Sequence, residues 1–245
     1  MTRPDPFRHH PNLRGKIIDP EHSFFRDFRP ERVFEILSRQ GMDASWCRSE
    51  DAIERDRHAA YANHEGDLWF FAYGSLMWDP AVPFAEVRRA RVYGFARSFC
   101  LVDDLGGRGN AASPGLMAAL DTGHHCNGLV FRIEAADVEE ATHSLWSREM
   151  IGTSYLHAVL PAETDFGPVP ATSFIVNPEG NEIRRDISRA DQVRFLARGR
   201  GFLGTSFDYL KSVVDQFDAL GIEDADVQAL YAEVLDFMAR DVTAS

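Results

Sequence analysis

Leu68-Trp69-Phe70-Phe71-Ala72-Tyr73-Gly74-Ser75-Leu76-Met77-Trp78-Asp79-Pro80 is an apolar, aromatic-rich run that breaks abruptly. Its first half has the composition of a buried strand. The break falls at Tyr73-Gly74-Ser75-Leu76, where glycine lets the backbone turn without a Cβ clash and consecutive N–H groups can face one small space. A turn of this kind at the end of a buried strand can hold a carboxylate or a phosphate. It can equally be a plain strand-ending turn, because Gly-Ser turns after strands are common. The spacing alone leaves both readings open.

Downstream, Arg88 to Val102 reads as one long or bent strand through Val92, Tyr93, Phe95, Phe99 and Leu101, interrupted by Gly94. Leu105-Gly106-Gly107-Arg108-Gly109-Asn110 is a glycine-rich loop, but it lacks the GxGxxG spacing of a dinucleotide site and no helix follows it. Leu116 to Leu120 and Cys126 to Ile133 flank Asp121-Thr122-Gly123 and read as a β-hairpin. Further strands are expected at Tyr155 to Leu160 and Ala171 to Val176. Two amphipathic helices follow, carried by Phe207, Leu210, Val213, Val214, Phe217 and Leu220, and then by Val227, Leu230, Tyr231, Val234, Leu235 and Met238. Clustered strands followed by helices predict an α+β domain on a closed or strongly curved, mostly antiparallel sheet.

Upstream, residues 1–66 have a different character. Five prolines between Pro4 and Pro30 keep the first part irregular; short helices are expected at Glu31 to Gln40 and Glu50 to Asn63. The expected division is an N-terminal extension over 1–66, a main domain over 67–240 and a tail over 241–245. The extension is expected to cover part of the main domain or to make an oligomer contact.

The 245 residues carry a formal net charge of -12, which disfavours nucleic acid and anionic membranes as partners and leaves a small molecule. Cys47, Cys100 and Cys126 form neither a disulfide framework nor a zinc spacing. No apolar run approaches a membrane span, and Met1 to His10 lacks the apolar core of a signal peptide. A cytoplasmic protein is the expectation.

The helix predicted from about Asp137 to Met150 has an apolar face of Val138, Ala141 and Leu145, and the next position on that face is Glu149. Asp137 is expected to cap its first turn, with Glu140 three residues on. Burial would disfavour the charged form of Glu149 and raise its pKa into a range useful for proton transfer. Alternatively Glu149 swings out at the helix end or pairs with an arginine. Arg148 is a poor candidate for that pairing, pointing a quarter-turn away.

Arg97 lies in register with Phe95 and Phe99 on an aromatic strand face and needs an anion there, from a protein carboxylate or a bound one. Ser75 has no G-x-S-x-G elbow and no ordered acid and histidine, so it is a poor nucleophile candidate. His124 and His125 are expected on opposite strand faces, which does not make a metal site. His9 and His10 are expected in a mobile tail; His143, His157 and Cys100 read as surface or core residues.

Taken together these stretches resemble the ChaC-like gamma-glutamylcyclotransferases that act on glutathione. Tyr73-Gly74-Ser75-Leu76-Met77-Trp78 resembles the family's opening YGSL signature, and Gly94-Phe95-Ala96-Arg97-Ser98-Phe99-Cys100 its Gly-aromatic-x-Arg-x-Phe strand. Arg108-Gly109 with Pro114-Gly115-Leu116, and Gly128-Leu129-Val130-Phe131-Arg132, resemble the next two blocks. Trp146-Ser147-Arg148-Glu149-Met150 with Tyr155 resembles its Arg-Glu segment, and Gly201-Phe202-Leu203-Gly204-Thr205-Ser206-Phe207-Asp208-Tyr209-Leu210 its closing Gly-Pro-x-Gly-x-Asn-x-x-Tyr-Leu motif. The blocks run in order over roughly 68–235. Phe202 stands where proline is usual and Ser206 where asparagine is usual; Ser206 is expected to cap the helix that follows.

The resemblance implies a small mixed or antiparallel β-barrel with flanking helices. It implies a lyase of glutathione catabolism that cleaves the γ-glutamyl amide to 5-oxoproline and Cys-Gly without a cofactor. Glu149 aligns with the family's acid/base. The Tyr73, Gly74, Ser75 and Leu76 turn is expected to hold the γ-glutamyl end, with Arg97 and Tyr155 as further substrate contacts. A cyclotransferase for another γ-glutamyl amine, or a non-catalytic binding protein on the same barrel, is the alternative.

Overall fold

The computed structural model describes residues 4–244. Five strands, β1 (Leu68–Ala72), β2 (Glu86–Leu105), β3 (Asn110–Ile133), β4 (Tyr155–Thr164) and β5 (Val169–Val176), close a barrel in the order β1-β3-β2-β4-β5. β1 pairs antiparallel with β3, Phe70 opposite Phe131, and parallel with β5, Phe70 opposite Thr172. That parallel pair closes an otherwise antiparallel sheet and leaves it no open edge. The interior is filled by Phe71, Tyr73, Val92, Leu120, Val130 and Ala162. Burying such side chains contributes about 1.5–3 kcal/mol each.

The hairpin expected at Asp121-Thr122-Gly123 is absent: β3 runs unbroken from Asn110 to Ile133. Its glycine answers to a different constraint. A Cβ on Gly123 would lie 2.4 Å from the Cβ of Ala96 on β2, so a residue that looks like a turn signal marks close backbone approach instead. The strand lengths of β2 and β3 exceed what their apolar runs suggested, because pairing continues across polar residues.

The described residues form six α-helices: α1 (Pro30–Arg39), α2 (Glu50–Tyr61), α3 (Val138–Glu149), α4 (Arg189–Arg198), α5 (Ser206–Leu220) and α6 (Ala225–Ala244). Pro30 occupies the first turn of α1, and Val33 and Leu37 are buried. α4 and the small β6 (Arg200–Gly201) and β7 (Gly204–Thr205) hairpin carry too few apolar residues to be predicted from periodicity. α6 continues helically through 241–244, where a tail was expected. Asp137 precedes α3 but its side chain makes no cap hydrogen bond, since Asp137 itself ends a 3-10 turn with φ −103° and ψ −3° rather than the extended cap geometry. Among the described residues no helix is long and apolar enough to cross a membrane.

The chain forms two compact units. One holds the residues up to Arg97 and Leu120–Gly180, and so contains the N-terminal extension and the barrel core. The other holds Ser98–Ala119 and Asn181–Ser245, in which α4, α5 and α6 pack on one another.

Within the first unit the extension is bound to the barrel at several points. His9 and His10, expected to be mobile, are docked: His9 Nε2 lies 3.1 Å from Glu86 Oε1, and Arg89 N donates to His10 Nε2 at 2.9 Å. Arg57 on α2 is 2% exposed. It donates from Nη2 to Glu54 (2.7 Å) and to Glu139 of α3 (2.6 Å), and from Nη1 to Thr142 (3.0 Å). These bonds hold the Glu54 carboxyl well below its usual range, at about 2. Arg57→Met removes the charge that joins α2 to α3 while keeping much of the volume. We expect it to lower unfolding free energy by about 2 kcal/mol in urea titrations, because Glu54 loses its buried partner.

Candidate active site

β1 delivers the chain to Tyr73, which is itself core: its hydroxyl donates to the Phe174 carbonyl at 2.9 Å. A one-turn 3-10 helix, Ser75–Met77, follows Gly74. Gly74 has φ −131° and ψ −133°. Within the turn Met77 N donates to Gly74 O (2.9 Å), and Trp78 N and Asp79 N to Ser75 O (3.2 and 2.9 Å). The N–H groups of Ser75 and Leu76 lie outside the turn's own bonds, as the first donors of any helix do. Behind the turn, a Cβ on Gly128 of β3 would lie 2.2 Å from Ala72 O, so glycine there lets β3 support the end of β1.

Arg97 reaches this turn from β2. It donates from Nε to Tyr73 O (2.7 Å) and from Nη2 to Asn127 O (2.6 Å). Both acceptors are backbone carbonyls, Tyr73 O just past the end of β1 and Asn127 O within β3, so Arg97 ties the start of the turn to β3.

α3 ends at Glu149, whose side chain is 14% exposed. Burial raises its pKa above the ordinary carboxylate value, and the charge of Arg148 opposes the rise. Here the structure corrects the pairing expectation: Arg148 Nε lies 3.0 Å from Glu149 Oε1. The helix stops at Glu149, so the two long side chains can bend toward each other past its end. The same guanidinium donates from Nη2 to Ser75 Oγ (2.6 Å) and from Nη1 to Asp79 O (2.6 Å). One arginine, 6% exposed, therefore ties the acid to the 73–76 turn. Sequence reasoning missed this role, and the adjacency of Arg148 to Glu149 concealed it. Tyr155 opens β4 opposite Val176, and none of these bonds includes it.

The two departures from the family motif lie in the second unit. Ser206 is fully buried; its Oγ accepts from Leu116 N (3.0 Å) and donates to Arg108 O (3.2 Å). The cap of α5 is Thr205, which accepts from Asp208 N at 2.9 Å, not Ser206. Phe202 N donates to Gly106 O at 2.9 Å, a bond a proline could not make.

His124 and His125 are exposed, and their rings meet with Nδ1 atoms 2.8 Å apart, contrary to the opposite-face expectation. Among the described residues no group of three or more histidine, cysteine, aspartate or glutamate side chains could hold a metal.

A five-stranded barrel whose strand-ending turn is tied to an acid at a helix end places the chain in the class of gamma-glutamylcyclotransferase folds. The crystal structure of the yeast glutathione-specific enzyme superposes with a TM-score of 0.62 at 18% identity, covering 71% of this chain and 97% of that one. The model of the ChaC-like protein family matches residues 68–236, and the chain belongs to that family. It is 34% identical over 197 residues to the glutathione-specific gamma-glutamylcyclotransferase of Escherichia coli, covering 80% of this chain and 85% of that one. To the human glutathione-specific gamma-glutamylcyclotransferase 1 it is 26% identical over 171 residues, 66% and 77% of the two chains.

The raised pKa of Glu149 makes a stability prediction. Between the unfolded value and the raised folded value the native state binds more protons, so Glu149 costs stability as pH rises through that window and the cost persists above it. Glu149→Gln is expected to raise the melting temperature at pH 7. The gain should vanish below the ordinary carboxylate range, as read by thermal melts from about pH 3 to 8.

Proposed function

We propose that this protein cleaves the γ-glutamyl amide of glutathione by intramolecular cyclisation, releasing 5-oxoproline and Cys-Gly, with Glu149 as proton shuttle. The observation that carries this reading is the Arg148 bridge, which ties a buried carboxyl to the turn whose Ser75 and Leu76 N–H groups lie outside the turn's own bonds. The E. coli and human relatives are named as glutathione-specific enzymes of this type, which supports the substrate.

In this mechanism the substrate supplies its own nucleophile. Its α-ammonium gives a proton to the Glu149 carboxylate, and the freed amine attacks the γ-carbonyl to form a five-membered ring. The carbonyl oxygen becomes an oxyanion, and the N–H groups of Ser75 and Leu76 are suited to it or to the α-carboxylate. As the oxyanion collapses, Glu149 passes the proton to the leaving amide nitrogen; the ring nitrogen gives up its second proton through the regenerated carboxylate, and Cys-Gly departs as its ammonium form. The attack is intramolecular, so the gain comes from holding the bent conformer and from one acid serving both nitrogens. Burial lifts the Glu149 pKa toward the working pH, and Arg148 keeps the carboxylate accessible. Arg97, bonded to Tyr73 O, positions the turn. Tyr155, which opens β4, is the further substrate contact in this reading. The motif departure at Ser206, which keeps a different γ-glutamyl amine or dipeptide open as substrate, is a serine bonded to the Leu116 and Arg108 backbone. Three free thiols fit a reducing cytoplasm as the site of the reaction, with a small molecule as partner.

Incubation with glutathione should yield 5-oxoproline and Cys-Gly in equal amounts. Glu149→Gln is expected to lower kcat by about 10²–10⁴-fold with KM little changed. Near-wild-type turnover in that variant would rule out the shuttle role, and no product from the wild type would rule out the substrate. The acid limb of kcat/KM against pH should lie above the ordinary carboxylate value of 4.5, because Glu149 must be ionised to accept the proton.

A further inference from the structure

Arg148 is held on every side. Its Nε, Nη1 and Nη2 are committed to Glu149, Asp79 O and Ser75 Oγ. Its flat face is covered as well: the guanidinium carbon lies 3.9 Å from the ring centroid of Phe25. Phe25 belongs to the N-terminal extension, outside residues 68–236 that the family model matches. Its own placement is firm. Phe25 N donates to Ser23 Oγ (3.0 Å), Phe28 N donates to Phe25 O (3.2 Å), and the ring packs edge-on to Phe24 and at a tilt to the buried Phe28, 5.2 and 5.3 Å away. The same extension is bonded to the turn directly, where Ile18 N donates to Trp78 O at 2.7 Å.

We infer that Phe25 is a positioning residue for the acid, acting through Arg148 to hold the Glu149 carboxylate in register with the 73–76 turn. The inference rests on Glu149 being the proton shuttle. An arginine side chain has many rotamers, and water competes for its donors. An aromatic face over a guanidinium restricts the rotamers and excludes water from one side. Without the ring, Arg148 keeps its charge but loses the wall that holds it on three acceptors from two separate parts of the chain. The acid then loses its fixed relation to the turn, and proton transfer between two substrate nitrogens tolerates little misplacement. The loss should fall on kcat, since the substrate's binding groups are untouched.

The test compares Phe25→Leu, Phe25→Tyr, Arg148→Lys and the Phe25→Leu/Arg148→Lys double variant, with Glu149→Gln run in parallel. Each is assayed for 5-oxoproline release from glutathione. Leucine keeps most of the apolar volume but has no ring face, so Phe25→Leu is expected to lower kcat by roughly fivefold, the loss of a cation–π contact, with KM within about twofold. Phe25→Tyr should restore near-wild-type kcat. In the Arg148→Lys background, where the planar guanidinium is gone, Phe25→Leu should cost little more. Unchanged kcat in Phe25→Leu, equal losses in the Leu and Tyr variants, or full additivity with Arg148→Lys would each overturn the inference. If Glu149→Gln is inactive while Phe25→Leu is unaffected, this inference alone fails. If Glu149→Gln is active, the shuttle reading fails and takes this one with it.

Discussion

The guanidinium of Arg148 joins three parts of the chain that are far apart in sequence: the end of α3, the turn after β1, and the N-terminal extension. A buried arginine is tolerable only if its donors are satisfied, and here a carboxylate, a hydroxyl and a backbone carbonyl satisfy them. The arrangement constrains the neighbours in return. Glu149 has to sit where the helix ends, because within a continuing helix the adjacent side chains would diverge. Ser75 has to turn its hydroxyl toward α3. The pKa of Glu149 is a balance between burial, which favours the neutral form, and this one cation, which favours the charged form.

The barrel provides the rigidity this needs. β1 is short, but it is paired on both sides, with β3 and with β5, so the turn at its end starts from a fixed point. Arg97 secures the first residue of the turn through Tyr73 O, and the Tyr73 hydroxyl is secured by Phe174 on β5. On the other side α3 is held to α2 by the buried Arg57 cluster. The extension thus supports the helix that carries the acid and also covers the arginine beside it. Residues that look like an accessory segment lie in contact with Arg148 and with the residue after the Ser75–Met77 turn.

Much of the fold was legible because it rests on periodicity. The apolar runs of β1, β4 and β5, the amphipathic stripes of α1, α5 and α6, and the apolar face leading to Glu149 all follow local rules. α4 left only a weak signal, a short stripe with Val193 and Leu196 buried among arginines and other polar residues. Gly123 was misread as a turn because a glycine needed for close approach to Ala96 looks the same in sequence as one needed for a bend. The docking of His9 and His10 on Glu86 and Arg89 was hidden by the irregular, proline-rich character of the segment that carries them.

The sequence by itself determined the barrel class, the family, and the candidate pair of Glu149 with the Tyr73–Leu76 turn, since each depends on residue types at fixed local spacing. Only the tertiary structure decided how that pair is connected. Arg148 was set aside on helical geometry, yet the helix terminus frees its side chain to bond Glu149. Phe25 carried no signal at all, because stacking on a guanidinium from 123 positions away in the chain is set by how the extension packs. Ser206 and Phe202, which looked like changes at a substrate site, are committed to backbone hydrogen bonds. Local patterns record which residues must be buried or turned; partners across the chain are chosen when the segments pack.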